Sequence, residues 1–252
     1  MLNLFAALVV GSTPASSHID TLRYEIAVAR GDSRRRALDV RVRFRARPDG
    51  RTPIELPHSW TGYTDLENQV SALRLAGDRS ATLSDSDANH VKIVRSRPSA
   101  QIELRYRLQQ DWSGTLRRPE YFRAIIGERY SLLVAQNALV HPTHADGDSL
   151  AIEFTWKNLL RDWRVSTSFG EGTTQRAHTT IEDLLESAFA AVPATPGIGG
   201  TAYTNALVMY ADTTSTLRSF AEAFGRIHRV FRRSLRARIR ISRERRLHRE
   251  GQ

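Results

Sequence analysis

Leu38-Asp39-Val40-Arg41-Val42-Arg43-Phe44-Arg45 alternates apolar and charged residues without a break. Successive side chains on an extended strand leave on opposite faces, so this stretch reads as a strand with one dry and one wet face. A second run has the same period: Ile102, Leu104, Tyr106 and Leu108 are interleaved with Glu103, Arg105 and Arg107. Charge on the wet side argues for antiparallel sheet, because parallel sheets are usually covered on both faces.

Working outward, further strands are expected at Tyr24–Val28, Val70–Leu75, Val91–Arg95, Tyr130–Val134, Leu150–Trp156 and Trp163–Phe169. Turn signals separate them at Pro48-Asp-Gly50, Ala76-Gly-Asp78, Arg97-Pro98 and Ala145-Asp-Gly-Asp148. Short strands at this spacing with no helices between them predict a mainly β fold, an antiparallel β-sandwich over residues 20–178. No internal repeat is apparent.

The pattern then changes. Thr179-Thr-Ile-Glu182 matches a capping box, with Thr179 as the N-cap, and predicts a helix to about Ala191. Pro193-Ala-Thr-Pro-Gly-Ile-Gly-Gly200 reads as a linker. A strand at Tyr203–Tyr210 and a helix from Thr214 follow, the latter with Leu217, Phe220, Phe224, Ile227 and Phe231 at helical spacing. Residues 179–235 thus read as the start of a helical domain, and 236–252 as an arginine-rich tail.

Charge is concentrated at that end. Arg226 to Gln252 hold eleven arginines and two glutamates, about +9 of the formal +10. The body is therefore close to neutral, and the basic balance does not by itself point to a nucleic-acid or membrane partner. The arginines outnumber the two lysines, Lys92 and Lys157, by a margin that charge cannot explain. GC-rich coding explains it. The tail has three readings: a basic amphipathic helix for anionic membrane or nucleic acid, a solvated basic face, or an out-of-frame or truncated end. The last is preferred, because the apolar period decays beyond Ile239.

The sequence has no cysteine, which excludes disulfides, thiolate metal sites and cysteine catalysis. No apolar run reaches the roughly 18 residues a helical membrane span needs. Met1 to Val10 is short and apolar, and Thr13 and Ala15 are placed as at a signal-peptidase site. Residues 1–17 are read as a possible signal segment, giving a periplasmic or extracellular expectation. The alternative is a cytoplasmic chain whose first residues form a strand.

His141-Pro-Thr-His144-Ala-Asp146-Gly-Asp148 gathers two imidazoles and two carboxylates, so His141, His144, Asp146 and Asp148 are candidate metal ligands. The alternative is a polar loop between strands, because donor type without geometry specifies little. There is no His-Glu-x-x-His, Gly-x-Ser-x-Gly or Walker pattern. Glu182, Asp183 and Glu186 suit a helix first turn better than acid–base work. Trp60, Trp112, Trp156 and Trp163 either form a carbohydrate platform or fill a core, and the core is the preferred reading.

Several weak motifs occur in a meaningful order. Tyr24-Glu-Ile-Ala-Val28 is followed by the Leu38–Phe44 strand, then by Leu56-Pro-His-Ser-Trp60-Thr-Gly62-Tyr63-Thr-Asp65 and Val70-Ser-Ala-Leu73. Ile102–Leu108, Trp163-Arg-Val-Ser-Thr167 and Ile181-Glu-Asp-Leu-Leu185 come after. Over residues 20 to 190 this order resembles the N-terminal region of the glycyl aminopeptidase family of zinc metallopeptidases. The departures are a missing proline before Gly62, no residue between Gly62 and Tyr63, and Asp-Trp163 in place of Gly-Trp. The resemblance implies a noncatalytic β-domain in which Trp60, Gly62, Tyr63 and Trp163 are structural. It also implies that zinc and the catalytic residues belong to a following domain. No catalytic residue and no cofactor is expected in this chain, whose implied partner is that catalytic domain. Peptide would be a substrate only of the intact enzyme. The likeness stops near Gly225, where the arginine run begins.

Overall fold

The computed structural model describes residues 21–30, 36–60, 62–112, 123–127, 130–143 and 149–193. In chain order its strands are β1 (Thr21–Arg30), β2 (Arg36–Arg45), β3 (Arg51–Glu55), β4 (Val70–Ala76), β5 (Thr82–Asp85), β6 (Val91–Arg95), β7 (Gln101–Gln109) and β8 (Ile125–Ile126). They continue with β9 (Ser131–Val134), β10 (His141–Pro142), β11 (Ser149–Lys157), β12 (Trp163–Thr167), β13 (Gly170–Glu171), β14 (Thr174–Thr180) and β15 (Ala188–Pro193). Two short helices, α1 (Ala135–Ala138) and α2 (Ile181–Leu185), and a 3-10 turn at Leu66–Gln69 complete the described elements.

The fold is mainly β, as the alternation predicts. A six-stranded sheet runs β14-β11-β1-β2-β7-β4, a four-stranded sheet β10-β3-β6-β5, and a five-stranded sheet β13-β12-β15-β9-β8. The pairings are antiparallel except one: β1 lies parallel to β11, with Tyr24 opposite Phe154. The mainly β, antiparallel sandwich-like fold expected from the sequence is thus formed, with this one parallel pairing inside it. Both strands are apolar on the core side, and their rings stack with centroids 5.2 Å apart. A parallel neighbour buries that side as well as an antiparallel one does.

One core joins the three sheets. Leu38, Val40, Val42 and Phe44 of β2 and Ile102, Leu104, Tyr106 and Leu108 of β7 point into it. Ile54 and Val94 come from the four-stranded sheet, and Leu133, Val165 and Phe189 from the five-stranded one. Phe154 stacks on Phe169 and meets Phe189 edge-on, with centroids 6.0 and 4.8 Å away. Burying side chains of this kind stabilises by about 1.5–3 kcal/mol each before entropy is counted.

The wet face is laced with charge. Glu103 lies within 3.3 Å of Arg41 and 2.7 Å of both Arg43 and Arg105, and Arg107 meets Asp39 at 2.8 Å. These contacts offset the like-charge register of Arg41 opposite Arg105. Partial burial raises the Glu103 pKa, but hydrogen bonds from Arg43 and Arg105 and the charge of Arg41 outweigh it, so its carboxyl titrates below the usual glutamate range.

The helix expected from Thr179 to Ala191 is not formed. Thr179 pairs with Leu150 in β14. The helix is α2 alone, capped by Thr180, whose Oγ1 accepts from the Asp183 N–H at 3.2 Å. Ala188, Phe189, Ala190, Ala191 and Val192 are buried in β15, between β12 and β9. Ladder pairing on both edges overrides helix propensity there, and a strand covered on both faces shows a continuous apolar run instead of alternation. The expected segments at 1–17, 203–210, 214–235 and 236–252 lie outside the described residues.

Candidate functional site

The four-stranded sheet carries a convergence of donor side chains at one end. Strand β3 finishes at Glu55, which stands opposite Val91 of β6 on one side and His141 of β10 on the other. The ladder runs one residue further, where the Leu56 N–H donates to the His90 carbonyl at 2.8 Å. Pro57 has no N–H, so the pairing stops there, and His58 follows outside the ladder. The His58 carbonyl accepts from the Leu66 N–H at 3.3 Å, which ties His58 to the 3-10 segment.

His90 comes from the loop before β6. That loop is tied by Ser86, whose hydroxyl donates to the carbonyls of Ala88 and Val91 at 3.1 and 2.9 Å. The Val91 N–H closes the turn onto the Ala88 carbonyl at 2.9 Å. The His58 and His90 rings stack with centroids 3.9 Å apart and planes 16° from parallel. One donor atom from each of Glu55, His58 and His90 lies within 4.8 Å of the others, and all three residues are half-buried.

His141 sits behind this group and is buried at 5% exposure. Burial disfavours its imidazolium and dominates the opposing pull of Glu55, so its pKa falls below the ordinary histidine value. Its Nδ1 is 3.2 Å from the Pro142 carbonyl. Two buried tyrosines hold the segment leading to it. Tyr24 donates to the Val140 carbonyl at 3.1 Å, and Tyr106 donates to that of Ala138 at 3.0 Å while accepting from the Val140 N–H at 3.3 Å.

Of the loop residues singled out in the sequence, His141 is thus brought beside Glu55, whereas His144, Asp146 and Asp148 lie outside the described residues. Glu55, His58 and His90 escape sequence reasoning, because His58 and His90 are distant in the chain and no spacing rule links them. The residues of the family-like motif are placed as follows. Trp60 and Tyr63 exchange backbone bonds at 2.9 Å around Gly62, which has φ +86°. Trp163 is buried in the core with Trp156, so a tryptophan platform on the surface is not formed by these two.

The donor set of two imidazoles and a carboxylate suits a borderline divalent cation such as zinc. It does not supply a nucleophile or a base–nucleophile pair.

No family model and no curated protein matches the sequence. Among solved structures, an aminopeptidase N family protein from Idiomarina loihiensis aligns with a TM-score of 0.52 at 14% identity, over 70% of this chain and 31% of that one. An M1 zinc metallopeptidase from Deinococcus radiodurans aligns with a TM-score of 0.38 at 15% identity, over 69% of this chain and 42% of that one. The first likeness is one of fold, and the second is too low to carry an argument. The chain spans less than half the length of either protein.

Proposed function

We propose that the β-region of this chain is the noncatalytic N-terminal domain of a glycyl aminopeptidase-like zinc metallopeptidase. The observation that carries the reading is the three-sheet fold, alignable over 70% of the chain with an aminopeptidase N family structure. The motif order from Tyr24 to Leu185 supports it independently. In such an enzyme zinc polarises the scissile carbonyl and activates water. No histidine of this sequence is followed by glutamate, so the His-Glu-x-x-His donor set is not among its residues and no catalytic step is assigned to them. The chain acts as a scaffold for a catalytic domain, its principal partner, and is inactive toward peptides by itself. The apolar N-terminal segment favours a periplasmic or extracellular setting.

The arginine-rich residues 226–252 favour a second reading, a secreted binding module anchored to anionic membrane or nucleic acid. The two readings separate on salt. A polybasic anchor loses affinity steeply between about 50 and 200 mM salt, whereas the scaffold reading gives no such binding. The direct test is an aminopeptidase assay on the purified chain with and without chelator. We expect no cleavage; cleavage abolished by chelator overturns the scaffold reading. The nucleotide sequence beyond the Gly225 codon adds a second test, because a shifted frame encoding His-Glu-x-x-His identifies the severed domain.

A further inference from the structure

We propose that Glu55, His58 and His90 form a divalent-metal site of the zinc class at the end of the four-stranded sheet. The proposal stands on local geometry and does not rest on the peptidase-like reading.

Three features of the cluster point to a cation. The first is its chemistry: two imidazoles and one carboxylate form a donor set of the kind that holds zinc in three-ligand sites. The second is its shape. The donors already lie within 4.8 Å of one another, and tetrahedral zinc with bonds of about 2.0–2.1 Å requires ligand atoms about 3.3 Å apart. Rotations of half-buried side chains close that gap, splaying the stacked rings so that both lone pairs face the ion. The third is its anchoring. The backbones of Glu55, Leu56 and His90 are locked together by the ladder, and His58 is held by the Leu66 N–H. The site is therefore built on strand ends and a closed turn.

The three ligands come from two segments distant in the chain. A bound ion would clip the exit of β3 to the loop before β6 at the point where Pro57 ends their hydrogen bonding. His141 stands across the ladder from Glu55 and is buried, so it lies next to the cluster without being one of its three donors. A water or other external donor completes a fourth position.

Equilibrium dialysis of the full chain against Zn2+ alone tests the site. The expected result is one zinc per chain. His58→Ala and His90→Ala should each weaken binding by more than the roughly 10–100-fold that loss of an outer-sphere partner costs. The double variant His144→Ala/Asp146→Ala should bind as the parent does. Uptake that survives both histidine substitutions but vanishes in the double variant places the ion at residues 144–148 and overturns the proposal. Absence of stoichiometric uptake overturns it as well. If the alanine variants do not fold, the parent chain still decides the matter. Zinc should shift the imidazole nitrogen resonances of two histidines, and cobalt should give the visible absorption of a four-coordinate site. Saturation with neither signal rejects the assignment.

Discussion

The outer face of the six-stranded sheet and the histidine end of the four-stranded sheet both carry charge, but they arrange it in opposite ways. On the outer face each carboxylate is surrounded by arginines: Glu103 faces Arg41, Arg43 and Arg105, Glu25 faces Arg41, and Asp39 faces Arg107. At the histidine end Glu55 lies beside two imidazoles instead of guanidinium groups. The first arrangement is complete within the protein. The second gathers donor atoms within 4.8 Å of one another with no guanidinium or ammonium group among them. Charged residues thus differ in meaning by whether their partners are cations or acceptors.

The comparison breaks most severely at the turn that joins the two regions. Gly50, between β2 and β3, has φ +70°, and a Cβ there would come within 2.5 Å of the Ser96 carbonyl oxygen. Gly50→Ala should destabilise by about 2 kcal/mol or more, since a non-glycine residue in this conformation already costs roughly 1–2 kcal/mol. Urea unfolding measures it, and a change under about 0.5 kcal/mol would show that the two sheets are less rigidly joined.

Next comes Tyr106, which links the dry face of β7 to the segment before His141. Tyr106→Phe leaves the Val140 N–H and the Ala138 carbonyl without this partner and should cost about 1–3 kcal/mol. If His141 is positioned through that segment, zinc affinity should fall with it, whereas the outer-face ion pairs stay intact.

A smaller effect sharpens the contrast on the outer face. Glu103→Gln should cost on the order of 1 kcal/mol at low salt and less at high salt, as expected for ion pairs near the surface. Its pH dependence has a definite sign. The folded pKa of Glu103 lies below the ordinary value, so its contribution is full above the usual glutamate range and is lost as pH falls through the folded value. The parent should therefore lose stability in acid faster than Glu103→Gln does. Parallel acid profiles would mean that Glu103 is not stabilised by its arginines. The smallest effect expected is that of Arg176→Ala, which removes an exposed pair with Glu153 at 3.1 Å and should shift stability by no more than about 0.5 kcal/mol.

Much of this fold is legible in the sequence wherever one face of a strand is wet. Strands β2, β7 and β11 announce themselves because their alternate residues meet different solvents. Strand β15 does not, because it is covered on both sides and its Ala-rich run fits either helix or strand. Strand β14 is hidden for the converse reason: Thr174-Gln-Arg-Ala-His-Thr-Thr180 carries few apolar residues and is held by its pairing with β11. Strand β3 is masked by Pro53, which stands beside the two-residue β10, where few ladder bonds are needed. None of the three donors of the site is legible in the sequence. His141 stood out within a cluster of ligand types, but its neighbours Glu55, His58 and His90 are assembled by sheet register, which no local pattern encodes.

The parallel contact of β1 with β11 also bears on the order of assembly. Residues 21–27 leave the ribosome well before residues 151–157, which supply half of their ladder. Until then β1 has only its hairpin neighbour and exposes an open, apolar-backed edge. Such long-range closure is intrinsically slow. The nascent β1–β2 ribbon therefore needs shielding until the first strand acquires its second companion.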